Sequence, residues 1–208
     1  MPSAVQTPGN QAATNNGGAN PPSNLPYVKT LSAELKTTID DSVIATCTAH
    51  LVERGDDPSR FQERMTAAAE EPAELAKDLF TPHGRLLPEH RTPQTAMNGV
   101  VDWGDALDTN DVLVFEHIKV AKAFRRKGLG KDLVQEILDK VASDGKPFSV
   151  FVAPGALESE YGEYTGEKRK EVIKEQVDIC VQFWCNLGFR RVKMTNWLAL
   201  KFMPCGRA

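Results

Sequence analysis

The sequence predicts an α/β fold, in which an amphipathic helix connects two buried strands. Residues 112–120 form an apolar, β-branched run with few interruptions, which is typical of a strand covered on both faces. From Leu133 to Val141, apolar residues recur at helical spacing with polar residues opposite. A second apolar run, residues 148–153, follows, and we expect it to pair in parallel with the first.

Length and composition favour one domain that binds small molecules. The chain has 208 residues, of which 41% are hydrophobic, enough for a sizeable single core. The formal net charge of −3 argues against nucleic acid as a partner, since nucleic-acid-binding domains usually carry a basic excess. No apolar run approaches the roughly 20 residues of a membrane span. We therefore expect no nucleic acid and no membrane among the partners, and a cytoplasmic location.

The cysteines suggest neither a metal site nor a disulfide framework. They show no C-x-x-C spacing, and their positions are Cys47, Cys180, Cys185 and Cys205. Buried or unreactive thiols in a reducing cytosol are the expected state. We accordingly expect no bound metal.

The chain begins with a tail and continues as a single domain. Residues 1–26 hold no charged side chain and are rich in Gly, Asn, Ala and Pro, so we expect them to be disordered. Residues 27–208 are assigned to the domain. Its first clear strand is residues 42–52, where Thr, Val and Ile are frequent. Residues 25–35 fit the start of either a strand or a helix.

A helix and a long loop are predicted next. Asp57 as N-cap and Pro58 at the first position start the helix, with Phe61, Met65 and Ala68 on one face. We expect Pro72 to break or kink it before residues 73–80 resume it. Residues 81–111 are rich in Pro and Gly and predict a loop with a short strand around 99–103. Two explanations are open for its four aspartates, ordinary surface charge or attraction of a cationic acceptor. They are Asp102, Asp105, Asp108 and Asp111.

The turn between the central strand and the following helix is rich in cations, which are disfavoured at a helix N-terminus. Helix N-termini favour Asp or Glu, and a cation there costs roughly 0.3–1 kcal/mol. This helix start instead holds two glycines among cations, in the order Arg125, Arg126, Lys127, Gly128, Leu129, Gly130 and Lys131. Free backbone N–H groups, glycines and surplus positive charge together predict an anion site, with phosphate or pyrophosphate as the occupant. A solvated basic loop is the alternative.

Two common phosphate loops do not fit this turn. The dinucleotide fingerprint G-x-G-x-x-G would need glycine at Leu133. The nucleotide-triphosphate loop G-x-x-x-x-G-K-[ST] would need glycine at Arg125 and a hydroxyl at Asp132. The pattern that does fit is R-x-x-G-x-G, formed by Arg125, Gly128 and Gly130.

The stretch VAKAFRRKGLGKDLVQEIL resembles motif A of the GNAT superfamily of acyl-CoA-dependent N-acyltransferases. The family pattern is roughly V-x-P-x-[YF]-R-x-x-G-[IL]-G-x-x-L, and the chain departs from it where Lys122 replaces the proline. The resemblance places motif A at residues 112–141 and the C-terminal helix and hairpin at residues 167–203. It implies the GNAT fold, an α+β fold with a mixed, twisted sheet flanked by helices. In this fold the two central parallel strands splay apart and the pantetheine arm of acetyl-CoA lies between them.

The C-terminal part resembles this family except for one connection that is longer than usual. Residues 156–170 are polar and longer than is usual, and predict either a flap over the acceptor site or a solvated loop. Residues 171–187 predict a helix, whose end from Phe183 to Phe189 resembles the family segment A-x-x-[FL]-Y-x-x-x-G-F. Residues 190–194 and 197–202 are expected to form the closing hairpin.

The resemblance implies acetyl-CoA as the co-substrate and direct attack by an amine within a ternary complex, without an acyl-enzyme. Backbone groups of Ile118, Lys119 and Val120 would orient the thioester and the pantetheine arm. The turn would hold the pyrophosphate through Arg125, Arg126, Lys127, Gly128, Leu129, Gly130 and Lys131.

Glu116 is the candidate general base. By alternation along the strand, one face holds Val114, Glu116, Ile118 and Val120, of which only Glu116 is ionisable. It lies four residues before Val120, where several small-amine members of the family carry a proposed Glu or His base. A base must reach the amine directly or through water. A carboxylate bonded to neighbouring backbone is the structural alternative, and His117 is expected to point to the other face.

Trp184 stands where the family carries its tyrosine general acid, and an indole cannot supply that proton. Either water, Tyr161, Tyr164 or Cys185 takes its place, or the protein acylates slowly. The principal expectation is an N-acetyltransferase acting on the primary amine of a small molecule. A protein or peptide N-acetyltransferase and a non-catalytic acyl-CoA-binding module are the alternatives, and a homodimer is one assembly left open.

Overall fold

A six-stranded mixed sheet flanked by helices forms the main body of the protein. The computed structural model describes residues 25–91, 94–96, 99–101, 103 and 105–202. Residues 1–24 of the tail expected to be disordered lie outside these ranges, as do Asp102 and Cys205. The predicted α/β class with a mixed sheet is confirmed.

The described residues form eight strands and seven α-helices. The strands are β1 Val28–Lys36, β2 Val43–Val52, β3 Gln94–Ala96, β4 Gly99–Val101, β5 Asp111–Val120, β6 Phe148–Val152, β7 Arg190–Arg191 and β8 Leu198–Phe202. The helices are α1 Phe61–Ala68, α2 Glu70–Leu79, α3 Pro88–Arg91, α4 Ala106–Thr109, α5 Leu129–Ala142, α6 Glu158–Tyr161 and α7 Gly166–Asn186.

The sheet has the strand order β1-β2-β5-β6-β8-β7. Strands β5 and β6 run parallel, as predicted, and each of the other neighbouring pairs is antiparallel. A parallel pair needs a crossover connection, and α5 supplies it between β5 and β6. Strands β3 and β4 form a separate antiparallel ribbon.

Each face of the sheet buries a hydrophobic core. On one face, Leu113 and Phe115 of β5 pack with Trp184 of α7 and with the apolar side of α5, which consists of Leu133, Val134, Ile137, Leu138 and Val141. On the other face, Val112 and Val114 pack with α1 and α2 through Phe61, Met65, Leu75 and Leu79. Because both faces of β5 are covered here, its first half is apolar without alternation.

The break between the first two helices lies at Ala69 and not at Pro72, where we expected it. Ala69 is extended, with φ −172° and ψ 179°. Since α2 begins at Glu70, Pro72 lies in its first turn, where a missing N–H group costs no hydrogen bond. Asp57 caps a short 3₁₀ turn, Pro58–Arg60, which leads directly into α1.

The C-terminal elements differ from the prediction in their bounds. α7 begins at Gly166 and not at Glu171, because its exposed first turns are stabilised by i,i+3 ion pairs that apolar periodicity does not register. The helix α6 lies within the stretch expected to be a polar connection. The closing hairpin forms, but β7 spans only Arg190–Arg191.

A buried arginine anchors the long connection between α2 and β5. Arg54 follows β2, and its guanidinium donates to the carbonyl oxygens of Asn110, Gly84 and Leu107. It also lies 4.4 Å from the centroid of the Phe61 ring. Burial lowers the pKa of Arg54 to about 10, so that the group remains charged at neutral pH.

Two of the aspartates in this connection have structural partners. Asp111 accepts a hydrogen bond from the backbone N–H of Arg54 at 2.9 Å. Asp108 accepts one from the backbone N–H of Leu86 at 2.6 Å and pairs with Arg91. These contacts favour a structural reason for the acidity of the connection over attraction of a cationic acceptor.

We expect Arg54→Met to lower the free energy of unfolding by about 2–4 kcal/mol, because buried carbonyl groups lose their donors. The control is Arg85→Met, in the same connection. The exposed Arg85 side chain makes no hydrogen bond within the described residues, so the expected change is within about 0.5 kcal/mol. Urea denaturation followed by tryptophan fluorescence measures both. Equal values for the two variants would contradict the anchoring role.

Candidate functional site

An extra residue interrupts β5 at Glu116. The register with β2 advances one residue at a time up to Phe115, skips Glu116, and resumes at His117, which defines a β-bulge. Beyond the bulge, Ile118 and Val120 pack against the same core as Phe115. The expectation that one face holds Glu116 together with Ile118 and Val120 was therefore wrong, because the bulge turns the later residues over.

Strand β5 is longer than its parallel neighbour, so that a gap opens beside its last residues. Pairing between β5 and β6 ends at Phe115 and Val152, whereas β5 continues to Val120. Within the described part of the chain, residues 116–120 have a partner strand only on the β2 side. We call the space on their other side the strand gap. It begins at the bulge and opens toward the end of β5.

Two residues direct their backbone polar groups into the strand gap. The N–H of Ala121 donates to the carbonyl of Ile44 at 2.8 Å, which fixes the alternation of bonded and non-bonded pairs along β2 and β5. Ile118 and Val120 occupy non-bonded positions, so their N–H and C=O groups point away from β2. Lys119 occupies a bonded position; its backbone faces β2 and its side chain is exposed.

The turn after β5 presents a helix start with free donors. Arg126 and Gly128 both have left-handed backbone, with φ of 62° and 86°. No side chain caps the start of α5, and the N–H groups of residues 129–131 have no acceptor within the helix. A Cβ atom on Gly130 would lie 3.4 Å from the Phe183 ring, so this first turn packs closely against α7.

The side chains around this helix start give it a positive charge. Arg126, Lys127 and Lys131 are exposed, and within the described ranges none of them pairs with a carboxylate. The ammonium of Lys127 lies 5.1 Å from the centroid of the Phe124 ring. Because a helix N-terminus already carries partial positive charge, these cations raise the local potential and favour an anionic ligand.

Arg125 differs from its neighbours because its charge is paired. Its Nη2 and Nη1 atoms lie 2.6 and 3.3 Å from the two carboxylate oxygens of Glu160, and its Nε donates to the carbonyl of Val120 at 2.9 Å. This contact raises the pKa of Arg125 and lowers the pKa of Glu160. A lowered folded-state pKa means that the contribution of the pair to stability is present at neutral pH and is lost as the pH falls through that pKa.

Glu116 lies in a hydrogen-bonded chain with His50, a residue that the sequence analysis did not single out. Its Oε2 atom is 3.0 Å from Nε2 of His50, and Nδ1 of His50 is 3.2 Å from Oγ1 of Thr30. The side chain of His50 is 8% exposed and that of Glu116 is 35% exposed. Glu116 is therefore oriented by a buried imidazole while it still reaches solvent. His117 is exposed and lies 3.9 Å from the same carboxylate. It is opposite Thr48 and precedes Ile118, which packs on the other face, so the expectation that it points away from the face of Glu116 was wrong.

Trp184 and two of the cysteines have structural roles. Trp184 is buried, with its ring centroid 5.1 Å from that of Phe115 beside the bulge. Burial raises the pKa of the Cys47 thiol to about 12 and also raises that of Cys180, whose thiol donates to the carbonyl of Gly155. Neither thiol is therefore a reactive thiolate at neutral pH.

The three candidate replacements for the general acid lie on or next to α6 and α7. Tyr161 ends α6 and lies under the guanidinium of Arg169, 5.1 Å away. Tyr164 is 40% exposed. Cys185 is partly buried against the core that also holds Trp184. None of these contacts selects one of the three residues as the proton donor.

No protein-family model matches the sequence, and no curated protein is related to it at a significant level. Across the residues described above, none of the helices has the length and apolar character needed to cross a membrane. In those same ranges, no group of three or more His, Cys, Asp or Glu side chains could hold a metal ion. Two surface grooves, of about 390 and 550 Å³, lie on the outer sides of α7 and α5, away from the strand gap.

We expect Gly128→Ala to lower the free energy of unfolding by about 1–2 kcal/mol, because its φ of 86° is costly for any residue with a Cβ atom. No atom lies within 4 Å of the added methyl group, so the cost is conformational and not steric. Gly155→Ala is the control, since that position is equally open and has no positive φ. Thermal unfolding by circular dichroism compares them, and an unchanged Gly128→Ala protein would argue against this turn geometry.

Proposed function

We propose that the protein is an acetyl-CoA-dependent N-acetyltransferase with a GNAT fold, acting on the primary amine of a small molecule. The observation that carries this proposal is the contact between the strand gap and the start of α5. A Cβ atom on Gly130 would lie 3.8 Å from the side chain of Val120, the last residue of the gap. Free backbone groups along one edge and a cationic helix start are therefore contiguous.

The residues of this region match the parts of acetyl-CoA in order. The free N–H groups of residues 129–131, with Arg126 and Lys127, suit a diphosphate. The N–H and C=O groups of Ile118 and the N–H of Val120 suit the amides of a pantetheine arm, which would bind as an added strand does. The carbonyl of Val120 already accepts a hydrogen bond from Nε of Arg125. The bulge at Glu116 lies at the inner end of the strand gap, which is the end that the thioester would occupy.

The thioester would supply an activated acyl group. Residues of this chain would accept the proton from the amine and hold the carbonyl oxygen. Glu116, oriented by His50, would accept the proton that an ammonium group loses before its nitrogen attacks the acyl carbon. As the C–N bond forms and the C–S bond breaks, the attacking nitrogen loses its second proton, and the leaving thiolate takes that proton up directly or through water. The N–H of Ile118 is directed into the gap and is available to hold the carbonyl oxygen.

A non-catalytic acyl-CoA-binding protein is the second candidate, and Trp184 favours it. This residue is buried against Phe115 and offers no acidic proton at the position of the family's tyrosine. A peptide or protein amine as the acceptor is a variant of the first proposal, since it would use the same gap and turn. Acetyl transfer to any amine separates the two catalytic proposals from the binding module. The kind of acceptor, a small molecule or a peptide, separates the two catalytic proposals from each other.

We expect the double variant Arg126→Glu/Lys127→Glu to bind coenzyme A at least about tenfold more weakly than the wild type, because two cations beside the helix start become anions. Isothermal titration calorimetry at two salt concentrations measures this loss. The wild-type affinity should fall as salt rises, and that of the variant should change less.

The matched control for this variant is Lys168→Glu/Lys170→Glu, which reverses two exposed lysines near the start of α7. It changes the net charge by the same amount and should leave the affinity for coenzyme A within about twofold of wild type. Equal losses in the two double variants would mean that net charge, and not the turn, governs binding.

We expect Glu116→Gln to lower kcat by about 10²- to 10⁴-fold and to leave the dissociation constant for coenzyme A unchanged, because only the proton acceptor is removed. Thiol release from acetyl-CoA is followed with a panel of small primary amines and amine-bearing peptides. Glu34→Gln, an isosteric change on β1, serves as the control for folding.

The same assay decides between the candidate functions. Binding of coenzyme A without thiol release in any reaction would favour the non-catalytic module. Release with peptides alone would favour the peptide N-acetyltransferase. Unchanged kcat in Glu116→Gln, with an active wild type, would remove Glu116 from the mechanism.

A further inference from the structure

Glu160 forms the best-covered carboxylate ion pair at the edge of the candidate site. Its side chain is only 9% exposed, although it belongs to the short helix α6 in a polar connection. It contacts the Nη1 and Nη2 atoms of Arg125, and its Oε2 atom lies 3.6 Å from Nζ of Lys122. By contrast, the ion pairs on α7 join side chains that are 65–83% exposed.

This ion pair bridges the two sides of the strand gap. The connection that contains Glu160 leaves the sheet at the end of β6, on one side of the gap. Arg125 follows β5 on the other side, and its Nε also donates to the carbonyl of Val120. The thiol of Cys180 holds the start of the same connection to α7 through the carbonyl of Gly155, at 3.3 Å. The segment 157–164 therefore passes across the open end of the gap.

The carboxylate of Glu160 pairs with Arg125 and Lys122, two cations that an anionic ligand bound at the turn would otherwise contact. As part of the same chain, it competes at an effective concentration in the millimolar range. A single phosphate presents fewer oxygens and less charge to Arg125, Arg126 and Lys127 than a diphosphate does, so we expect it to displace Glu160 less readily. A diphosphate carries more charge and also binds the free N–H groups of residues 129–131, so that it can compete.

We propose that Glu160 is a specificity-determining residue of the phosphate turn, an internal carboxylate that holds the place of an anion and makes the turn select diphosphate ligands over single phosphates. The segment 157–164 moves away from Arg125 when such a ligand binds. This inference rests on the proposed function, because it takes the diphosphate of an acyl-CoA as the natural occupant.

The first test measures the affinity of Glu160→Gln for coenzyme A and for inorganic phosphate by calorimetry. We expect coenzyme A to bind about three- to tenfold more tightly than to wild type, and phosphate binding to gain more, because the internal competitor is neutral. Glu163→Gln is the control. It removes the same charge from the same segment, where Glu163 is exposed and unpaired within the described residues. Equal gains in both variants, or no gain in Glu160→Gln, would overturn the proposal.

The second test follows hydrogen–deuterium exchange of the backbone amides of residues 157–164 in the wild-type protein. We expect faster exchange when coenzyme A is added, since the segment loses its contact with Arg125. Slower exchange would show that the segment closes over the ligand, which contradicts displacement of Glu160.

The two failures can be told apart. Tight binding of coenzyme A by wild type, with no gain in Glu160→Gln, would leave the proposed function standing and reject the role of Glu160. No binding of coenzyme A by either protein would reject the proposed function together with the selection of its diphosphate. A gain in phosphate affinity in Glu160→Gln would then support only the competition between Glu160 and anions. If neither ligand binds either protein, both proposals fall.

Discussion

The extra residue at Glu116 is the constraint on which the candidate site depends. Before it, β5 is covered on both faces and pairs with β6. After it, the strand continues with no partner on that side among the residues that the structure describes. The bulge also places Glu116 on one face of the sheet and the residues that follow it on the other. Ile118 and Val120 pack toward α5 with their backbone groups directed into the gap, whereas Glu116 remains on the face of His50. The early end of β6 opens the backbone edge, and the inserted residue sets which groups line it and orients the carboxylate.

The cations of the turn divide into two groups with different partners. Arg125 is engaged by Glu160 and by the carbonyl of Val120, so it holds the end of β5 in place. Arg126, Lys127 and Lys131 are exposed and lack a carboxylate partner within the described residues. Sequence spacing alone gives all of these residues the same role. Their different surroundings mean that an anion meets a site that is partly neutralised on one side and free on the other.

Local patterns were sufficient to predict most of the fold but only part of the site. The apolar run 112–120 and the helical spacing from Leu133 to Val141 identified the central strand and its crossover, because burial leaves a direct periodic signal. The bulge and the contact with His50 depend on the register of two strands whose contacting residues lie 66 positions apart. Glu160 is likewise 35 positions from Arg125. Such contacts leave no pattern in a single sequence.

The anchoring of the connection between α2 and β5 has an evolutionary consequence. Arg54 binds the main chain at Gly84, Leu107 and Asn110 through carbonyl oxygens, which every amino acid possesses. Of the three positions, Gly84 is restricted to glycine, since its φ is 74° and a Cβ atom there would clash with the guanidinium and with Phe61. Mutations, insertions and deletions between these attachment points can accumulate while the ends of the connection stay fixed to the scaffold. A lineage could therefore diversify this stretch without having to rebuild the sheet.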